Sequence, residues 1–306
     1  MSGAIEVPDA WRALSAKIKV DGGLTLLLGV SDSGKTTLVR WLLRELATTG
    51  RRVALLDGDI GQSIIGPPAT AGLALPPPGS TDPNLYPTAL RFVGAISPAE
   101  QMLPLAAALK RLAEKASAMG AEILLVDTTG LVLGPVGHRL KFHKIELLAP
   151  RHLVALQRDD ELEPILRLFE GRKEVAISRL TVSPLVTPRS FQARRSYRAQ
   201  RFFDYFQASS FLELSLRDIG VLGSWLTESK TLPLPDLRGL LLGLCDEENG
   251  LVALGLLQEL DPSFARLVCL TPCDEPKRVR IVQFGTLRLD PSGEELGEIP
   301  IRTEAP

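Results

Sequence analysis

Through the first 180 residues, short apolar runs bounded by glycine, proline or charge alternate with stretches of helical periodicity, the pattern of a parallel sheet flanked by helices. The candidate strands are Leu24–Leu28, Val53–Leu56, Arg91–Ala95, Ile123–Val126, Leu153–Leu156 and Glu174–Ile177. A helix start is predicted at Ser97-Pro98-Ala99-Glu100, which offers a capping serine, a proline at the first helical position and a glutamate completing a capping box. That helix is expected to run to about Met119.

The alternation breaks twice. Between Gly66 and Pro87 the segment GPPATAGLALPPPGSTDPNLYP holds seven prolines, which predicts an ordered but irregular loop. From about Phe211 helical periodicity fades, and the apolar segments Leu240–Leu244, Val252–Leu257, Ala265–Leu270 and Arg280–Phe284 are separated by turn residues. The expected organisation is an α/β domain over residues 1–210 and a smaller β-rich domain over residues 211–306.

Composition then narrows the functional classes. With 306 residues, 45% hydrophobic and 23% charged, the chain has ordinary globular proportions, and no run approaches the roughly 18 apolar residues of a membrane span. The N-terminus carries no apolar signal core, so a cytosolic protein is expected. A net charge of −1 means that nucleic-acid binding has to rest on a local basic patch. Cys245, Cys269 and Cys273 form no CxxC pair, and His138, His143 and His152 form no metalloprotease pattern, so all six read as structural.

The segment LTLLLGVSDSGKTTLVRWLL is strand, glycine loop, then amphipathic helix. Its loop Gly29-Val30-Ser31-Asp32-Ser33-Gly34-Lys35-Thr36, continued by Thr37, has the spacing of a phosphate-binding P-loop. Gly29 and Gly34 let successive N–H groups face an anion, to which the helix N-terminus adds its positive end. Lys35 offers a point charge to the β and γ phosphates of ATP or GTP, and Thr36 a hydroxyl to Mg²⁺.

Nucleotide binding alone does not name the reaction. Two strands end in carboxylates, VALLDGDIGQ in Asp57 and Asp59 and ILLVDTTG in Asp127. At the C-terminal edge of a parallel sheet such groups point into the ligand crevice, and all three compete for the metal and base roles.

Asp57-Gly58-Asp59-Ile60-Gly61-Gln62 has the form DxDxGQ, and together with the P-loop it resembles the polynucleotide 5'-hydroxyl kinase family, which includes RNA kinases of tRNA splicing and pre-rRNA processing. RFVGAISP, VDTTGLVLGPVGHRL and LRGLLLGLCDEENGLVALGLLQEL fall in the family's order, so the resemblance runs from about Gly22 to about Leu289. It implies transfer of the ATP γ-phosphate to the 5'-hydroxyl of RNA or DNA. By the same resemblance Lys35 and Thr36 hold phosphates and Mg²⁺, and Asp59 activates the acceptor and reaches the metal directly or through water. Gln62 lies near the acceptor strand. Thr128 and Gly130 match a TxGW motif that clasps the phosphate loop or borders the acceptor; Leu131 stands where the family has tryptophan.

PRSFQARRSYRAQRFFDYF supplies the basic patch. On a helix Arg194, Arg198 and Arg201 share a face, and Arg194 and Arg198 match the RxxxR pattern of the family's lid, expected around residues 188–206. Guanidinium groups there would neutralise the transferring phosphoryl group, with Arg194 and Arg198 joining Lys35 and Asp59 as the catalytic set. The aromatics of this segment are expected mostly to anchor it. The reading is therefore an ATP-dependent polynucleotide 5'-hydroxyl kinase; an ATP-binding adaptor in RNA processing and a small-molecule kinase are the alternatives.

Overall fold

The computed structural model describes residues 7–80, 85–99, 101–223, 237–261 and 265–299. Along the chain come α1 (Asp9–Asp21), β1 (Gly23–Leu28), α2 (Lys35–Ala47), β2 (Val53–Gly58), β3 (Thr70–Ala74), β4 (Ala89–Phe92), α3 (Met102–Ala118), β5 (Ile123–Thr128), α4 (Gly134–Leu148), β6 (His152–Gln157), α5 (Glu163–Leu166) and β7 (Ala176–Thr181). There follow α6 (Phe191–Phe206), β8 (Ser210–Ser215), β9 (Gly220–Leu222), β10 (Leu240–Cys245), β11 (Leu251–Asp261), β12 (Arg266–Thr271), β13 (Ile281–Leu289) and β14 (Glu295–Glu298). These elements form two compact units. Of the described residues, the first takes in those up to Asp59, those within Gly72–Thr88 and those within Pro98–Arg189, and the second takes in Ile60–Ala71, Ala89–Ser97 and those from Ser190 onward.

In the first unit the strands lie in the order β3-β2-β5-β1-β6-β7. All neighbours are parallel except β3, which runs antiparallel to β2 with Leu56 opposite Leu73. The central strands β2, β5 and β6 are buried at every position, which requires cover on both faces and explains their unbroken apolar runs. Helix α2 supplies part of that cover with Leu38, Val39, Leu42 and Leu46, spaced to share one face.

Two local expectations change. Helix α3 begins at Met102 with no side-chain cap, later than the Ser97-Pro98 signal predicted. Pro104 is the reason: in a helix begun at Pro98 it would fall in the interior, without an N–H and with its ring against a preceding carbonyl, whereas here it lies in the first turn. The proline-rich segment is also not wholly irregular. Its proline-free stretch Thr70–Ala74 forms β3, buried along its whole length.

The second unit is an antiparallel sheet in the order β14-β13-β10-β11-β12-β8, with β9 pairing parallel to β13. Helix α6 packs on it through Phe202 and Phe206, which share a core with Leu241, Leu254, Leu256, Leu287 and Phe92. Gly243 is required there, because a Cβ at that position would lie 2.4 Å from the Phe92 ring. Cys245 and Cys269 are buried in this unit and their thiols are pushed up to about 12 by that burial. No described helix is long and apolar enough to cross a membrane.

Candidate active site

The phosphate loop lies between a fully buried strand end and the start of α2. Gly34 occupies the N-cap with φ 89° and brings no side chain, so the first N–H groups of α2 are left to an external acceptor. Asp32 also adopts positive φ, 55°, a conformation an aspartate tolerates better than most residues. Its carboxylate accepts the Arg189 backbone N–H at 3.0 Å and lies 3.5 Å from Arg189 Nε, while its carbonyl accepts from Arg158 Nη2 at 3.3 Å. The loop is thus tied down at its tip.

Lys35 is buried and turns back on its own loop, donating to the carbonyls of Gly29 at 2.9 Å and Val30 at 2.8 Å. Burial lowers its pKa, against which Asp127, Asp59 and Asp32 act in the opposite direction.

Strand register gathers the carboxylates. On the neighbouring parallel strands β2 and β5, Asp57 pairs with Asp127 and Gly58 with Thr128. Asp127 is buried, accepts the Thr36 hydroxyl at 2.6 Å and accepts the Thr128 N–H at 2.9 Å. Burial raises its pKa, and Lys35 and the Thr36 bond oppose that rise. Asp57 is equally buried and accepts the Asp59 N–H at 3.0 Å, whereas Asp59 is only partly buried. Among the three, Asp59 is the one that is not fully buried.

The turn after β5 presses on the loop. A Cβ at Gly130 would fall 2.3 Å from Ser31 N, so only glycine permits the approach. The Thr128 hydroxyl donates to Leu27 O at 2.7 Å, and Lys141 Nζ donates to Thr128 Oγ1 at 2.9 Å and to Thr129 O at 2.6 Å. Leu131, next in the chain, is partly buried.

The remaining predicted residues belong to the second unit. Gln62 donates to its neighbour Gly61 O at 2.8 Å and to Arg194 O in α6 at 3.4 Å. Arg198 is buried and forms a two-pronged pair with Glu295, which also receives Arg195 on its carbonyl at 3.1 Å. Arg201 donates to Gly66 O at 2.6 Å and the Tyr197 hydroxyl to Ser63 O at 2.8 Å. Phe202 and Phe206 are core, while Phe191 at 73% exposure and Phe203 at 42% are not. The helix is thus anchored by some of its arginines as well as by its aromatics.

Sequence reading missed the buried lysines Lys141 and Lys144 and the Arg198 partner Glu295. A signal for the lysines existed: they fall in the stripe Gly137, Leu140, Ile145 and Leu148 of α4, where apolar residues are expected. Glu295 lies about a hundred residues from Arg198 and had none.

Residues 29–208 match the family model described as mRNA cleavage and polyadenylation factor CLP1 P-loop. A polyribonucleotide 5'-hydroxyl-kinase of Methanocaldococcus jannaschii is 32% identical, over 95% of this chain and 94% of its own. One from Pyrococcus horikoshii is 31% identical, over 89% and 87%. Among solved structures, a Clp1p–Pcf11p complex contains a chain similar in fold, with a TM-score of 0.67, 14% identity, and coverage of 92% of this chain and 79% of that one. The matched residues run from Gly29, the first of the phosphate loop, past the end of α6 and make up more than half of the chain, which therefore belongs to the CLP1 P-loop family.

Proposed function

We propose that the chain is a polynucleotide 5'-hydroxyl kinase, transferring the γ-phosphoryl group of ATP to the 5'-hydroxyl of RNA or DNA. One observation carries the reading. A buried lysine on an anion-binding loop and a partly buried carboxylate, Asp59, lie at one sheet edge, in a chain about 31% identical to proteins named polyribonucleotide 5'-hydroxyl-kinases over most of its length. Those names make RNA the first acceptor to test.

The donor set fits Mg²⁺. The Thr36 hydroxyl and the Asp127 carboxylate are hard oxygen donors 2.6 Å apart, and Mg²⁺ is ordinarily held by one or two such groups plus substrate phosphates. Thr36 would hold it, with Asp59 directly or through water and Asp127 beside Thr36. The bound ion would neutralise charge on the β and γ phosphates.

The loop residues Gly29, Ser31, Asp32, Ser33, Gly34, Thr36 and Thr37 surround the phosphates, and Lys35 exchanges its loop carbonyls for phosphate oxygens. Asp59 takes the proton of the 5'-hydroxyl as its oxygen bonds to phosphorus and the β–γ bridging oxygen leaves with its electron pair on ADP. Gln62, Thr128, Gly130 and Leu131 serve the acceptor side, and Arg194 and Arg198 the phosphoryl charge. Arg198 takes that role only by exchanging its Glu295 partner.

Incubation with γ-labelled ATP and a 5'-hydroxyl oligoribonucleotide tests the reading. Labelled oligonucleotide is expected; ATP consumption that never labels an acceptor removes the kinase assignment.

A further inference from the structure

We propose that Lys141 is a positioning residue of the nucleotide site, holding the Thr128–Gly130 turn against the phosphate loop. The inference rests on reading that loop as nucleotide-binding, and not on the identity of the acceptor.

Lys141 is fully buried in a stripe of α4 that it shares with Gly137, Leu140, Ile145, Leu148 and a second lysine, Lys144. An ammonium or amine in such a place is costly unless its donors are met, and here two acceptors meet them, Thr128 Oγ1 at 2.9 Å and Thr129 O at 2.6 Å. The Thr128 hydroxyl spends its own proton on Leu27 O, so its oxygen lone pair is available to Lys141. Leu27 is on β1, one residue before the strand's end and two before Gly29. Gly130, two residues past Thr128, touches Ser31 so closely that no side chain fits between them. A single amine thereby fixes a turn braced on β1 at one end and on the phosphate loop at the other. Burial and the neighbouring Lys144 hold the Lys141 pKa well below its ordinary value. The two bonds survive that shift, because a neutral amine still carries two N–H donors.

Lys144 provides the internal control. It lies one turn further along the same face, is equally buried, and its Nζ has no hydrogen-bond partner among the described residues. Damage to the packing of α4 affects both positions, whereas loss of the turn's anchor affects only Lys141.

The experiment measures the Kd for Mg·ATP by calorimetry, with melting temperature, on the full chain and on Lys141→Met and Lys144→Met. Lys141→Met removes both bonds and is expected to raise Kd at least about tenfold, the scale of a single lost buried hydrogen bond to a charged or polar partner, while Lys144→Met stays within about twofold. Lys141→Gln, which keeps amide donors, is expected to recover part of the loss. Should Lys141→Met not fold, Thr128→Val removes the 2.9 Å bond to Lys141 together with the bond to Leu27 O, freeing the same turn, and is expected to raise Kd as well. Wild-type affinity in a folded Lys141→Met or Thr128→Val, or an equal loss in Lys144→Met, overturns the proposal. Since no acceptor is present, a protein whose ATP affinity depends on Lys141 yet which labels no oligonucleotide would uphold this inference and remove the kinase reading.

Discussion

The guanidinium of Arg198 lies on the carboxylate of Glu295, Nε 2.5 Å from Oε1 and Nη2 3.2 Å from Oε2, with both side chains almost closed to solvent. Removing one partner of such a pair leaves a buried uncompensated charge, typically a loss of about 3–5 kcal/mol. Arg198→Ala is therefore expected to lower the melting temperature markedly. Arg194→Ala is expected to lower kcat more than it raises the acceptor KM, since a lid arginine acts on transition-state charge. A salt-dependent rise in acceptor KM alone would show instead that Arg194 tracks the nucleic-acid backbone.

The aspartates separate by their partners. Asp59→Asn is expected to cost on the order of 10² to 10⁴ in kcat, the range of general-base catalysis, with little change in nucleotide affinity. Asp127→Asn weakens the acceptor of the 2.6 Å Thr36 bond and is expected chiefly to raise the Mg²⁺ concentration needed for half-maximal rate. If the two variants exchange these signatures, Asp127 is the base.

Lys144 carries a pH-dependent cost. Burial pulls its pKa down to about 8 from an ordinary value of 10.5, so between those limits the unfolded chain binds the extra proton and stability rises with pH. Below about pH 8 the penalty is fully present, on the order of 3 kcal/mol, and it fades as pH climbs toward 10.5. Lys144→Met should be more stable than the parent at pH 7, by a margin that shrinks between pH 8 and 10. Denaturant titrations at several pH values check this; a margin independent of pH contradicts it.

The sequence resemblance sets Leu131 where the kinase family has tryptophan, and the residue is partly buried. If the position faces the acceptor, Leu131→Trp adds a stacking surface, a contact with a scale of about 1–3 kcal/mol, and lowers the oligonucleotide KM without changing the melting temperature. If it is packed, the larger ring costs stability, typically about 1–3 kcal/mol, and KM does not improve. The first result is expected.

Much of this was legible in the chain itself. The phosphate loop could be read because its chemistry is local: two glycines, a lysine and a threonine at fixed spacing between a strand and a helix. The parallel strands could be read because strands buried on both faces are continuous apolar runs. Other features were decided by contacts distant in sequence. Asp127 became the partner of Thr36 only through strand register, and Arg198 found Glu295 about a hundred residues away. Pro104 outweighed a well-formed capping signal at Ser97, because a missing N–H deep inside a helix costs more than a cap contributes. Strand β3 was hidden by the prolines on both sides of it.

The position of the transferred phosphate distinguishes a 5'-hydroxyl kinase from every alternative. A 5'-hydroxyl oligoribonucleotide is incubated with the protein and γ-labelled ATP, digested to mononucleotides that retain the 5'-terminal phosphate, and resolved by chromatography. All label is expected on the 5'-terminal nucleotide. None is expected with an oligonucleotide already phosphorylated at that end, and none with Lys35→Ala, whose phosphate cluster lacks its buried point charge. Label released only as inorganic phosphate, or undiminished 5' labelling by a well-folded Lys35→Ala, would contradict it.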